Sequence, residues 1–576
     1  MRTRLWAALA AVALLAGCAS IPTSGPVRPG ITTDPEQQSF EFLAEGPSVG
    51  DTPQQIITGF ISALPQGFDT DFQIAREYLT PGASRDWDPL ESLVVFGSGD
   101  FVGAWDEDGT AVVYSVPLAA TLDAHGRLVE AAVGEETTLD FSVVQDASGE
   151  WRIASLADGA LIAESTFENL FREVNLVFAS QDGSSEVVET RWVADAFAPT
   201  RAASELVMGP SPWLSDAVLS GFSSAAALEV GTVVVTDGEA LVPLVSEAAE
   251  ETAGAGLGLA QMERTLTALP TVTDVQMTLG GVPVESAADV MLEPPDVPSE
   301  EAAAIVGSRL GLWNGSELRV TPDSAGAIPS RANGLAQSYS GRQTAFLVGG
   351  SRLVVTDALS GRLSSLVPSA GVGDAPDEPM PLDTLLTGSD LVSPSYDGHG
   401  WLWTAESEGG GVIALDAESG GGERADLSAE WLTARVIEAL AVSRDGARLV
   451  ISSTVAGQPV LEVTGIVRND AGVPVSLTTP LQIGVSSGVA VDLAWVDSTT
   501  VAALGVSVDE GITPVWIVGV GGFTEAVSAA TDTVAMTARS GLTSLTVVTG
   551  DAEALARSGT GWTPVVDGVV ELAYAG

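Results

Sequence analysis

The sequence predicts a multidomain chain: a small α+β domain, an α/β domain and a C-terminal all-β propeller, carried behind an export signal and a tether. Three observations lead there. At 576 residues the chain is too long for one core, and its hydrophobic fraction of 45% is that of a globular protein. Apolar spacing is helical over Ile56, Ile57, Phe60, Ile61 and Leu64, then becomes two-fold beyond about residue 99. Past residue 306 a small polar turn recurs at roughly the interval of one four-stranded blade.

Residues 1–17 read as a signal. Arg2 and Arg4 precede an apolar run over 5–16 that is too short for a bilayer, which takes about 20 residues. The run closes in Leu15-Ala16-Gly17-Cys18, and Cys18 is the only cysteine of the chain. This pattern resembles a bacterial lipoprotein signal, which implies cleavage between Gly17 and Cys18 and a diacylglyceryl group on the Cys18 sulfur. The mature protein is then expected at the cell membrane, lipid-anchored on its extracytoplasmic face, because a doubly acylated anchor holds where a single chain does not. No later stretch approaches 18 uninterrupted apolar residues. With Cys18 acylated there is no disulfide, so packing must supply the stability.

Residues 18–50 read as the lipidated flexible tether, with Pro22, Pro26, Pro29, Pro35 and Pro47 among Gly, Ser and Thr. The net charge is −52, and all 24 basic residues are arginine. So acidic a chain offers no basic patch to displace counterions from phosphate, which excludes nucleic acid as a partner. It also predicts that a charged partner presents basic surface.

The domain over 51–165 opens with Thr52-Pro53, a cap followed by proline at the first helical position. A second helix is predicted over 72–79, stopped by Pro81-Gly82. Strands are predicted over 99–105, 111–122, 137–145 and 151–156, separated by Asp/Gly turns. Two helices followed by a curved antiparallel sheet resembles the NTF2-like architecture.

Over 168–290, strands are predicted at 173–178 and 186–193 around Asp182-Gly183. Thr200 is predicted to cap a helix that ends at Gly209-Pro210. Strands at 232–236 and 239–243, a helix over 257–269 and a strand over 275–279 follow. The runs Ala203-Ser204-Glu205-Leu206-Val207-Met208-Gly209-Pro210, Val233-Val234-Val235-Thr236-Asp237-Gly238 and Leu259-Ala260-Gln261 with Thr265-Leu266-Thr267 resemble the GerMN domain of sporulation and germination proteins. That resemblance implies an interaction module.

An acidic, Pro-rich linker over 291–305 (Glu293-Pro294-Pro295-Asp296) leads into the propeller over 306–576. Its turns are Ser338-Tyr339-Ser340-Gly341, Ser395-Tyr396-Asp397-Gly398, Ser443-Arg444-Asp445-Gly446, Val496-Asp497-Ser498 and Arg539-Ser540-Gly541, whose last residues lie 57, 48, 52 and 43 apart. Asp and Gly suit the hairpins inside a blade, and five or six blades fit the length. Few contacts are expected to cross the linker, so the propeller is expected to fold alone.

In this order, the lipoprotein signal, α+β domain, GerMN-like domain and propeller resemble the LpqB family of lipoproteins of high-GC Gram-positive bacteria. Cys18-Ala19-Ser20-Ile21-Pro22 is similar to that family's start. The resemblance implies an accessory protein that binds the extracytoplasmic domain of a sensor histidine kinase of the MtrA–MtrB type and affects cell-wall and division homeostasis.

For catalysis the residues offer little, and no enzyme and no cofactor are expected. The two histidines, His125 and His399, both fall in Asp/Gly turns and read as exposed. No Gly-x-Ser-x-Gly elbow stands between a strand and a helix, two histidines do not make a zinc set, and a chain without lysine has no phosphate-binding Gly-Lys-Ser/Thr loop. No stretch matches the twelve-residue calcium loop. Trp313, Trp401, Trp403, Trp431, Trp495, Trp516 and Trp562 read as blade packing, with a minority open to a partner. Two other readings stay open: a lipoprotein that binds a lipid or wall fragment, and a propeller hydrolase acting on wall polymers.

Overall fold

The computed structural model describes residues 44–99, 101–246, 254–286, 292–360, 366–369, 374–419, 422–485, 487–506 and 512–576. The signal, Cys18 and most of the tether lie outside the described residues.

The first helix, Pro53–Thr70, begins in a capping box: Gln55 N–H donates to Thr52 Oγ1 and the Gln55 side chain accepts from Thr52 N–H. It runs on past Pro65, because Phe68 continues the buried stripe of Ile56, Ile57, Phe60 and Leu64. This stripe packs on a sheet whose strands lie in the order Trp151–Ser155, Glu136–Gln145, Ala111–Asp123, Ser92–Phe96, Ala160–Ala163. The central strand buries Val112, Tyr114, Val116, Ala120 and Leu122 in alternation. The second helix is shorter than predicted, Gln73–Glu77. Pro81 does not merely stop it; Thr80 caps a further helix, Pro81–Asp86, with proline in its first turn.

The second domain starts with the hairpin Phe171–Ser180/Glu186–Ala194. Helices Ala198–Met208 and Ala255–Thr267 pack between this hairpin and a sheet containing Ala226–Leu228, Glu239–Ser246 and Asp274–Leu279. The last two strands are parallel, so a crossover is required, and Ala255–Thr267 supplies it. Thr200 is not the cap: Phe197 holds that position, and the Thr200 hydroxyl accepts from Val233 N–H at 3.0 Å. The helix does end at Gly209, at φ 101°.

Beyond residue 301, six successive sheets among the described residues ring an axial channel. The innermost strands are Ala332–Gln337, Ser395–Tyr396, Arg435–Val442, Ala490–Trp495, Thr533–Thr537 and Glu571–Ala573. The last belongs to the first blade: it pairs Ala303–Ala573, Ala304–Leu572 and Ile305–Glu571, closing the ring between the two ends of the propeller segment. Side chains stitch one blade to the next. Val442 N–H donates to Ser395 Oγ (3.0 Å), Met536 N–H to the Asp492 carboxylate (2.7 Å), Tyr574 N–H to Thr537 Oγ1 (3.0 Å) and Gly334 N–H to Glu571 (3.4 Å). Inner-strand amides are thereby satisfied where no sheet neighbour exists.

Burial pushes the Asp492 carboxyl up to about 7, with Glu571 adding repulsion. Between about pH 4 and 7 the unfolded chain has lost that proton while the folded one keeps it. Stability from this group therefore falls as pH rises through the window. Asp492→Asn is expected to raise the melting temperature by a few degrees at pH 8 and to leave it unchanged at pH 4. A thermal scan at both pH values checks this.

The recurring turns join the first and second strands of their blades, and their polar residues hold them. Asp397 accepts from His399 N–H and Trp401 N–H (both 2.9 Å) and from Trp403 Nε1–H (2.8 Å). Ser443 Oγ donates to Asp445 (2.6 Å) and accepts from Arg448 N–H (3.1 Å).

The expectation that few contacts link the propeller to the domain before it does not hold. One continuous hydrophobic cluster contains Leu176, Leu206, Trp213 and Met262 of the second domain together with Val450, Val463, Trp495 and Val501 of the blades. The linker also docks: Leu292 packs on Val177 and Ala179, and Glu293 O accepts from Glu186 N–H at 2.8 Å. Apolar area that the sequence assigns to separate cores is buried across domains, and residues 44–576 form one compact unit.

Candidate functional site

The three domains meet around Trp192, on the hairpin of the second domain. Its backbone N–H donates to Gly126 O of the first domain at 2.8 Å, and its Nε1–H donates to Gly521 O of the propeller at 3.0 Å. Its ring lies 5.0 Å from Phe167 of the first domain and 5.8 Å from Phe523 of the propeller. Gly126 has φ 71°, and a Cβ there would stand 2.3 Å from Trp192 O, so the contact needs glycine. Glu130 ties the first domain to the propeller directly, accepting from Thr524 N–H (3.0 Å) and Oγ1–H (2.5 Å).

A second seam joins the hairpin to the blades. Arg448 is fully buried; its Nη1 donates to Val188 O at 3.0 Å, its Nη2 pairs with Asp445, and its guanidinium stands 4.9 Å from the centre of the Trp495 ring. Thr478 Oγ1 donates to Trp213 O. Arg468 N–H donates to the Gln181 side chain (2.5 Å), which in turn donates to Asp216 O (2.7 Å). Guanidinium groups suit such seams because they keep several donors in a fixed plane and stack on indole faces.

The two histidines are not brought together. His125 is half-buried rather than exposed, and its Nδ1 lies 3.2 Å from Glu205 Oε2 on the helix Ala198–Met208. Burial raises the Glu205 carboxyl, while Arg201, His125 and Arg191 pull it back. Arg201 Nη2 donates to Ala124 O at 2.7 Å, closing this seam. His399 is exposed and lines a separate cavity of about 240 Å³ between the second domain and the propeller, with Asp182, Asp445 and Arg468. Among the described residues no three or more His, Cys, Asp or Glu side chains have metal-holding geometry. Trp403 is fully buried with Arg468 over its ring at 5.8 Å, and Trp431 carries Arg435 at 5.1 Å, so these indoles serve packing.

Sequence reasoning missed the buried group Arg191, Glu189 and Ser211. Arg191 pairs with Glu189 at 2.8 Å and donates to Ser211 Oγ at 3.1 Å, and Ser211 N–H donates to Glu189 at 3.0 Å. The one signal available was a Glu-Thr-Arg run inside a strand that is apolar elsewhere after Glu186. No helix among the described residues is long and apolar enough to cross a membrane.

Comparison with known proteins follows the same division of the chain. Residues 46–168 match the N-terminal domain of lipoprotein LpqB, residues 175–285 match a sporulation and spore germination domain, and residues 309–573 match the LpqB β-propeller domain. Among curated relatives, the lipoprotein LpqB of Thermobifida fusca is 27% identical, covering 90% of this chain and 89% of its own length. Those of Bifidobacterium longum (27%; 80% and 78%) and Streptomyces coelicolor (29%; 83% and 81%) are similar.

Proposed function

The chain belongs to the LpqB family of lipoproteins, and from that premise we propose that it is a non-enzymatic accessory protein that binds the extracytoplasmic domain of a membrane sensor histidine kinase of the MtrA–MtrB type and modulates it. Lipoprotein membership makes it a membrane-anchored protein, and we assign the anchor to Cys18, exposed on the extracytoplasmic side after cleavage behind Gly17. We read the first domain, a helix held in a curved sheet, as NTF2-like.

One observation carries the adaptor reading: the hydrogen bonds of Trp192 and the shared core weld three domains into a single body. Such a body presents fixed surfaces, and a contact on one domain is borne by the others. Tethering confines it beside the membrane and raises its effective concentration for membrane partners. The charge of −52 favours a partner with basic surface.

The experiment is photo-crosslinking in cells followed by identification of the captured protein, run on the native chain and on Cys18→Ala. The native chain is expected in the membrane fraction with the kinase captured. Cys18→Ala is expected in the medium or as an unprocessed precursor, with capture lost. A processed variant still firmly in the membrane would remove the anchor assignment, and a native chain that captures no kinase would remove the partner.

A further inference from the structure

Two cavities open at the three-domain junction, and they share Ser92, Leu122 and Asp123 as a common wall. The first, about 410 Å³, lies between the first two domains and is walled by Phe68, Phe72, Leu90, Phe171 and Phe197. The second, about 710 Å³, runs between all three domains and contains Arg127 and Arg191. Each volume is in the range of small-molecule sites, roughly 300–1,000 Å³.

Two features of this cleft are unresolved within the protein itself. Arg191 is 1% exposed, and although it pairs with Glu189 its Nε has no hydrogen-bond partner among the described residues; neither has the buried Nε of Arg127. Buried donors of this kind are costly unless something accepts from them. Leu90 and Phe197, in the first chamber, remain 54% and 48% exposed, where covering them would be favourable. Glu91 and Asp123 also line the second cavity, so it presents both signs of charge and does not suit a bare anion.

We propose that these two adjoining cavities together bind a membrane phospholipid, with one acyl chain among the aromatic side chains of the first chamber and a zwitterionic phosphate–ammonium head group in the second, the molecule bridging their mouths. Arg127, whose side chain is 33% exposed, faces the phosphate in this arrangement, and the exposed Glu91 the ammonium. An anchored protein meets such a ligand at the membrane surface. The site goes beyond the adaptor function and does not depend on the kinase.

The test is calorimetric titration of the full mature chain with lysophosphatidylethanolamine below its micelle-forming concentration, and in parallel with glycerophosphoethanolamine, which has the head group alone, and with inorganic phosphate. Saturable binding of one lysophospholipid per chain is expected, at least tenfold tighter than either control. Arg127→Ala and Phe197→Asp, at partly exposed positions, are each expected to weaken it tenfold or more without lowering the melting temperature; Leu90→Asp replaces Phe197→Asp if the latter melts early. Absence of saturable binding, equal binding of the chainless controls, or affinity unchanged in properly folded variants would overturn the proposal.

Discussion

Replacing Arg448 with alanine is expected to destabilise the full chain by about 3–5 kcal/mol, the usual cost of leaving one member of a buried ion pair unpartnered. Arg448 is 0% exposed and acts at three places together: the Asp445 carboxylate in its own turn, Val188 O on the second domain, and the face of Trp495. Its removal strands Asp445, itself buried, and leaves a carbonyl of the neighbouring domain without its donor. Urea denaturation followed by tryptophan fluorescence measures the loss. The double variant Arg448→Met with Asp445→Asn is expected to recover much of it, because no uncompensated charge then remains. A single variant within 1 kcal/mol of the native chain would mean that the seam contributes far less than its geometry implies.

Deleting residues 569–576 is expected to have the larger effect. The deletion removes Glu571–Ala573, the innermost strand of the first blade. Val569 and Leu572 leave the core, and Gly334 N–H loses its acceptor. The strand Ala302–Val306 becomes an open apolar edge, a template for pairing with other chains. Loss of a single cooperative thermal transition and elution as aggregates are expected, read by circular dichroism and size exclusion. A monomeric truncated chain that melts cooperatively near the native temperature would show that the ring does not depend on this closure.

Much of this architecture was legible in the sequence, for identifiable reasons. The Asp and Gly of the blade turns stand out because a hairpin demands them, and the structure shows Asp397 and Asp445 accepting from the backbone of their own turns. The hairpin at Asp182-Gly183 and the helix ending at Gly209 were legible for the same reason. Short pieces such as Leu128–Glu130 and Ala160–Ala163 were not, since three or four residues carry no period. The closing strand escaped because its partner lies about 270 residues upstream, beyond any local pattern.

The junction was the least legible part. Trp192, Gly126 and Gly521 are ordinary strand and turn residues until the fold brings them together. The Ser-Arg-Asp-Gly turn predicted a hairpin, but nothing in it marks Arg448 as the residue that reaches the neighbouring domain. His125 read as exposed because its turn is polar, whereas the helix that half-covers it comes from another domain. A pattern along one chain reports which face of an element is buried, and does not report which domain covers it.

The proposed contact with a sensor kinase is tested most directly with purified components. The mature chain is immobilised and the extracytoplasmic domain of the kinase is passed over it at low and at high ionic strength. Saturable binding at low salt that weakens several-fold at high salt is the expected result, since an acidic body meeting a basic surface is screened by ions. No binding at low salt, with response-regulator phosphorylation unchanged in cells that lack the protein, would contradict it.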